Sequence, residues 1–244
     1  MSCSGSAGSI LIDPATTSTL YAPNDVGVFK STNGGIDWTP ASTGLPSGGK
    51  LTITLTIDPV KPSTLYAFIQ GGGNFGSNFK STDGATTWTA ISTPKSSPII
   101  VDPANSSTLY QSWDGVMKSI DGGAHWQNIT PPAFITGPRY KLVIDPTSAN
   151  SLYAALMYAG PLGPSGPDGP YGIGMFHSTN GGAGWTTMNT GWPLIKGLPG
   201  QVAHYPTVTD LAITFDGSTL YASTDFGLFF YTSTKVARRR AVGH

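Results

Sequence analysis

An all-β chain of about five repeated four-stranded units is predicted by three features of this sequence. An Asp-Pro…Leu-Tyr segment recurs about every 44 residues, a second motif, S-x-[DN]-x-G-x-x-W, alternates with it, and turn-forming residues abound. Of 244 residues, 32 are glycine and 20 proline, which suits many short strands joined by tight turns. The 39% hydrophobic and 11% aromatic content is enough to build a core, so disorder is the poorer reading.

The first motif reads Ile12-Asp13-Pro14…Leu20-Tyr21, Ile57-Asp58-Pro59…Leu65-Tyr66, Val101-Asp102-Pro103…Leu109-Tyr110 and Ile144-Asp145-Pro146…Leu152-Tyr153. A worn fifth copy reads Phe215-Asp216-Gly217…Leu220-Tyr221. The first four aspartates are 45, 44 and 43 residues apart, a period that signals stacked supersecondary units. The second motif stands at Ser31–Trp38, Ser119–Trp126 and Ser178–Trp185, with Asn33, Asp121 and Asn180 at its third position. The copy at Ser81–Trp88 keeps Ser81, Asp83 and Trp88 but reads Gly84-Ala85, which puts its motif glycine one place early. The fifth unit has Tyr231-Thr232-Ser233 where a copy would begin.

Each unit reads as four strands. Leu51 to Ile57 alternates apolar and polar residues with period two, as a strand with one buried face does. Asp58-Pro59 breaks it, because proline lacks a donor and disfavours helix before it. Thr64 to Ala67 is the second strand, Ser77 to Ser81 the third, and Trp88 to Ile91 the fourth. No capped helical periodicity interrupts the pattern. Four short strands repeated in this way make a β-propeller blade. The expected organisation is one propeller domain over 1–234, with units at roughly 9–50, 51–97, 98–139, 140–209 and 210–234, and a basic tail at 235–244. The fifth unit lacks an obvious outer strand. Either Lys235 to Val242 or the N-terminal octapeptide would have to supply it, or the chain is a piece of a larger propeller.

The boxes, coupled to I-D-P…T-L-Y-A, resemble the Asp-box, or bacterial neuraminidase repeat, propellers. That group includes sialidases, xyloglucanases, the sortilin ectodomain and photosystem II assembly factor-like proteins. The resemblance covers nearly the whole chain and is specific for fold rather than function, since unrelated activities share the box. It implies that each box is the hairpin between the third and fourth strands. There Ser31, Asn33, Ser81, Asp83, Ser119, Asp121, Ser178 and Asn180 shape the turn, and Trp38, Trp88, Trp126 and Trp185 pack between blades. Calcium is a poor reading of these turns, because two of the four boxes carry Asn and none offers several oxygen ligands. No metal or cofactor is expected.

The opposite face carries loops of unequal length. The distances from Asp-Pro aspartate to box serine are 18, 23, 17 and 33 residues, and long loops over a rigid scaffold are where binding lives. Aromatics and aspartates gather there, and Trp113, Asp114, Tyr158, Tyr171, Trp192 and Tyr205 are the candidate ligand-binding residues. Flat rings beside carboxylates suit sugars. Asp25, Asp114, Asp168 and Asp225 are the carboxylates a glycosidase could pair, although Asp25, Asp114 and Asp225 also sit as recurring turn formers.

Composition excludes several classes. Net charge is zero and only 11% of residues are charged, which argues against a nucleic-acid surface, and three arginines at 238–240 do not change that. No apolar stretch approaches a membrane span, so no membrane insertion is expected. The single Cys3 allows no internal disulfide. The resembled sialidases need three arginines and a glutamate, but Arg139 is the one arginine outside the tail and glutamate is absent. The expected function is therefore a non-catalytic module binding a glycan or a protein, with a glycoside hydrolase as the alternative. Clustered loop aromatics would favour a glycan, and an exposed apolar patch on one blade edge would favour a protein. Composition and resemblance point to an extracellular or cell-envelope location, although no signal peptide is visible at Met1 to Gly5.

Overall fold

The computed structural model describes residues 9–71, 74–113, 115–131, 139–157, 174–194, 205–232 and 235–239. Those residues are all β, with no helix among them. The first blade comprises β1 (Leu11–Ile12), β2 (Leu20–Asn24), β3 (Gly27–Ser31) and β4 (Thr39–Pro40). The second has β5 (Leu51–Ile57), β6 (Leu65–Gly71), β7 (Asn74–Ser81) and β8 (Thr89–Ile91). The third has β9 (Ile100–Asp102), β10 (Asn105–Trp113), β11 (Gly115–Ser119) and β12 (Gln127–Asn128). The fourth has β13 (Arg139–Asp145), β14 (Ser148–Met157), β15 (Met175–Ser178) and β16 (Thr186–Thr187). The fifth has β17 (Val208–Ile213), β18 (Thr219–Thr224), β19 (Gly227–Thr232) and β20 (Lys235–Arg239).

Each blade is an antiparallel meander in sequence order, and a single parallel pairing, Met157 with Val208, joins the fourth to the fifth. These are the four-stranded blades of a β-propeller, about five in number. By contact the chain divides into two compact units, Met1–Gln111 with Lys118–Trp126, and Ser112–Met117 with Gln127–His244.

The Leu-Tyr pair explains how a blade acquires two apolar faces. Successive side chains on a strand point to opposite sides, so the leucine marks one face and the tyrosine the other. In the first unit, the leucine face of blade two carries Leu65, Ala67, Ile69, Phe79 and Trp88. It packs against Tyr21, Val28 and Ala41 on the tyrosine face of blade one. Ile99, Val101, Leu109 and Trp126 of blade three pack in turn on Tyr66 and Ile91 of blade two. In the second unit, Leu211, Leu220, Ala222 and Phe229 of blade five pack on Tyr153, Ala155 and Met175 of blade four.

The outer strand of the fifth blade is β20, which runs antiparallel to β19 from Thr232↔Lys235 to Leu228↔Arg239. Lys-Val-Ala-Arg-Arg is a poor strand former by composition. Pairing is a backbone transaction, however, and the open edge of β19 supplies the template.

Candidate functional site

The box turns lie between the third and fourth strands of blades one to four, and all four are built alike. The hydroxyls of Ser31, Ser81, Ser119 and Ser178 donate to Asn33, Asp83, Asp121 and Asn180 Oδ1 at 2.8–2.9 Å. Each serine Oγ accepts the N–H four residues on, from Gly35, Ala85, Gly123 or Gly182, at 2.9 Å. Each Oδ1 then accepts a second N–H, from Asp37, Thr87, His125 or Gly184. The oxygens are thus spent inside the turn, which is structural work.

The acidity of the box aspartates follows from these bonds. The Thr87 hydroxyl, then its N–H and the Ser81 hydroxyl, hold Asp83 at about 2. The His125 N–H, with its ring and the Ser119 hydroxyl, holds Asp121 well below the usual carboxylate range. Gly84 and Ala85 have φ of 68° and 67°, matching the paired glycines of the other boxes. Ala85 therefore occupies the second left-handed position of the same turn rather than marking a shifted one.

The box tryptophans divide into two pairs. Trp88 and Trp185 donate Nε1–H across the blade junction to the carbonyls of Ala41 and Ile129. Trp38 and Trp126 instead donate to Gly35 and Gly123 of their own turns. The Asp-Pro aspartates cap their own turns. Asp13 accepts from Ala15 and Thr16, Asp58 from Val60 and Lys61, Asp102 from Ala104, and Asp145 from Thr147. Among the described residues no group of three or more His, Cys, Asp or Glu side chains could hold a metal ion.

On the loop-rich face, Asp114, Tyr158 and Tyr171 lie outside the described residues, as do Asp168 and His204. Trp113 ends β10 and is half-buried. Trp192 lies in the core of the second unit, and the half-buried Tyr205 packs against that core. Trp192 is 7% exposed, stacks on Phe229 with ring centroids 5.0 Å apart, and belongs to the cluster against which Tyr205 packs. Its ring faces are therefore occupied by protein. Asp225 Oδ1 accepts the Thr207 N–H at 2.9 Å while its own N–H donates to the Thr207 carbonyl, so it ties a connection down.

Among the described residues, the tyrosine face of blade five exposes several neighbouring apolar side chains. Tyr221 pairs with Phe230 across β18 and β19, and Ser223 with Leu228, so Tyr221, Phe230 and Leu228 share that face. With Thr219 and Thr232 they line a groove of about 270 Å³. Tyr221 is 37% exposed and Leu228 41%, whereas the corresponding Tyr66 and Tyr110 are 1% and 0% exposed. Burial, then Asp58 or Asp102, pushes those two hydroxyls up to about 12.

A second difference sets this face apart. In blades one to three a lysine lies over the tyrosine, with Lys30, Lys80 and Lys118 Nζ each 5.5 Å from the ring centroid of Tyr21, Tyr66 and Tyr110. In blade four His177 stacks on Tyr153 at 4.4 Å. Lys30 also donates to the Gly84 carbonyl in the box of blade two at 2.8 Å. Blade five carries Phe230 instead, tilted against Tyr221 at 6.4 Å. Sequence reasoning missed Tyr221, Leu228 and Phe230, although the signal was present: aligned on the Leu-Tyr pair, Phe230 replaces a cation.

No family model matches the chain. XoxF of Paracoccus denitrificans, which bears the name of a dehydrogenase, is 29% identical over 133 residues, or 49% of this chain and 20% of its own length. Among solved structures, the GH74 xyloglucanase of Xanthomonas campestris matches with a TM-score of 0.68 at 15% identity, over 98% of this chain and 39% of that one. The GH74 enzyme of Niastella koreensis matches at 0.62 and 19% identity, over 96% and 37%. YCF48 from Cyanidioschyzon merolae matches at 0.52 and 14%, over 93% and 67%. The chain thus spans a fifth of XoxF and less than two fifths of either glycoside hydrolase. What these likenesses establish, with the strand order and the repeat, is that the chain has the fold of the β-propellers it resembles in sequence.

Proposed function

We propose that this chain is a non-catalytic β-propeller module that binds protein, with the tyrosine face of the fifth blade as its docking surface. The observation that carries the reading is the contiguous Tyr221–Phe230–Leu228 surface, left open on a blade whose other face is buried. An apolar patch with a polar rim is the usual footprint of a protein partner. Glycan recognition loses support because Trp192 is buried in the core of the second unit, with the half-buried Tyr205 packed against it. Hydrolysis of the GH74 kind needs two carboxylates facing one substrate. Of the four aspartates singled out for that role, Asp225 is bound into a turn, Asp25 sits in the turn between β2 and β3 with its carbonyl accepting the Leu51 N–H, and Asp114 and Asp168 lie outside the described residues. The box aspartates are committed to their own hairpins.

The test is panning of the intact chain against a displayed peptide library, beside a glycan array and incubation with xyloglucan oligosaccharides read by mass spectrometry. Peptides with an apolar consensus should be enriched on the wild type and lost on Leu228→Arg. A specific array hit or a cleaved oligosaccharide, with no enriched peptide, would overturn the reading.

A further inference from the structure

Two of the four boxes, at Asn33-Gly34 and Asn180-Gly181, place glycine directly after asparagine, and no other asparagine in the chain is followed by glycine. That dipeptide carries its own chemistry. With no Cβ in the way, the glycine amide nitrogen can attack the asparagine Cγ. The new N–Cγ bond closes a succinimide ring, the Cγ–Nδ2 bond breaks, and the side-chain nitrogen leaves with the amide proton as ammonia. Water then opens the ring at either carbonyl, giving aspartate or isoaspartate. In the closed turns both reacting groups are engaged. The Gly34 and Gly181 N–H groups donate to the Ser18 and Asn150 carbonyls, each at 2.8 Å. Each asparagine Oδ1 is held by the box serine hydroxyl and by the N–H four residues on.

The boxes differ at their seventh residue, in step with the third. Where the third is aspartate, the seventh is a donor: the Thr87 hydroxyl donates to Asp83 Oδ2 and the His125 ring to Asp121 Oδ2, both at 2.6 Å. Where the third is Asn33, the seventh is an acceptor, and Asn33 Nδ2–H donates to Asp37 Oδ2 at 2.8 Å. Box four has Gly184 there, with no side chain to oppose either type. An ionised carboxylate can only accept. Aspartate at 33 would therefore exchange a hydrogen bond for two facing carboxylates. Aspartate at 180 would keep the Ser178 hydroxyl and the Gly184 N–H and meet no opposing charge.

We propose that Asn33 and Asn180 are latent deamidation sites, masked while their turns are closed and released by opening, and that the fold accepts the aspartate product at 180 but not at 33. Isoaspartate is rejected at both, because it routes the main chain through the side-chain methylene and moves the box acceptor out of place. The conversion is irreversible, so aspartate at 180 accumulates in folded molecules as a record of past openings.

Peptide mapping by mass spectrometry, after incubation of the full chain at mildly alkaline pH with and without guanidinium chloride, tests the masking. Both sites should convert in denaturant, and about tenfold or more slowly in the folded chain, where reaction waits for the turn to open. Equal rates in the two conditions at either site overturn the masking. Urea unfolding tests the discrimination. Asn180→Asp should unfold at or above the wild-type midpoint, and Asn33→Asp below it by an amount that shrinks with added salt. Asn33→Asp/Asp37→Thr recreates the pairing of Asp83 with Thr87 and should recover the loss, with Asp37→Thr alone completing the cycle. A wild-type midpoint for Asn33→Asp, an equal loss for Asn180→Asp, or a double variant with no recovery overturns the discrimination.

Discussion

Replacing Gly182 by alanine in the fourth box should expose how closely neighbouring blades are matched. An added Cβ would overlap the Ile129 Cδ1 methyl and approach Ile129 Cβ and Cγ1 at 3.2 Å, at a residue with φ of 92°. Left-handed backbone costs a non-glycine residue about 1 kcal/mol, and overpacking a filled junction about 1–3 kcal/mol, giving a loss of about 2–4 kcal/mol. The second box shows that the position tolerates a methyl when its neighbour is small. Ala85 sits there with φ of 67°, and the residue equivalent to Ile129 is Ala41. The equivalence is structural: Ala41 and Ile129 both donate N–H to a third-strand valine carbonyl, and both carbonyls accept from the next box tryptophan. Ile129→Ala alone should cost about 2–4 kcal/mol through lost burial and a cavity. The double variant Ile129→Ala/Gly182→Ala should recover much of the steric term, with a favourable coupling of about 1–3 kcal/mol. Urea unfolding of the four proteins, followed by tryptophan fluorescence, gives the cycle directly. Simple additivity of the two losses would refute the matched-pair reasoning.

Three further outcomes are expected. Trp192→Ala should lower stability by about 3–5 kcal/mol through its lost core contacts with Phe229, measured by thermal unfolding; an unchanged midpoint would return its ring to the surface. Burial depresses the His177 pKa more than Asp145 raises it, so the folded state binds fewer protons than the unfolded. Stability present above the unfolded histidine value of about 6.5 should fall as pH drops through it, and His177→Lys should flatten that decline in urea titrations. Asp83 is held at about 2, so its contribution should be present above the unfolded value of about 3.9 and fade as pH falls toward 2. Asp83→Asn, the residue type already at Asn33 and Asn180, should lower the neutral-pH urea midpoint toward the wild type's acid value and remove that acid dependence.

Much of the fold was legible because period and turn chemistry are local. The alternation in Leu51–Ile57 and the breaks at Asp-Pro predict strands that the structure contains, and the box motifs fall in the expected hairpins. The strand at Lys235–Arg239 was not legible from its side chains, since its partner, β19, supplies the reason to pair. Ala85 read as a displaced glycine because a sequence shows residue type and not φ. The candidate site was harder still. Trp192 looks like a loop aromatic until the chain after β16 folds it onto Phe229, a contact between residues 37 positions apart. Tyr221 carries the same Leu-Tyr signature as four buried tyrosines, and in the sequence only Phe230, where the other units carry lysine or histidine, tells it apart.

The residue before each box serine, and before Tyr231 at the same place in the fifth blade, bears on how such a chain can grow by duplication. Lys30, Lys80 and Lys118 are interchangeable in type, but His177 and Phe230 are not, and Ala41 and Ile129 demand different partners. A freshly copied blade inherits both halves of its parent's junctions, one of which faces the wrong neighbour. The copy must acquire a new pair of matched residues before it is held as firmly as the rest. The blades are therefore ordered rather than modular, and transplanting one to another position would produce a mismatch on each side.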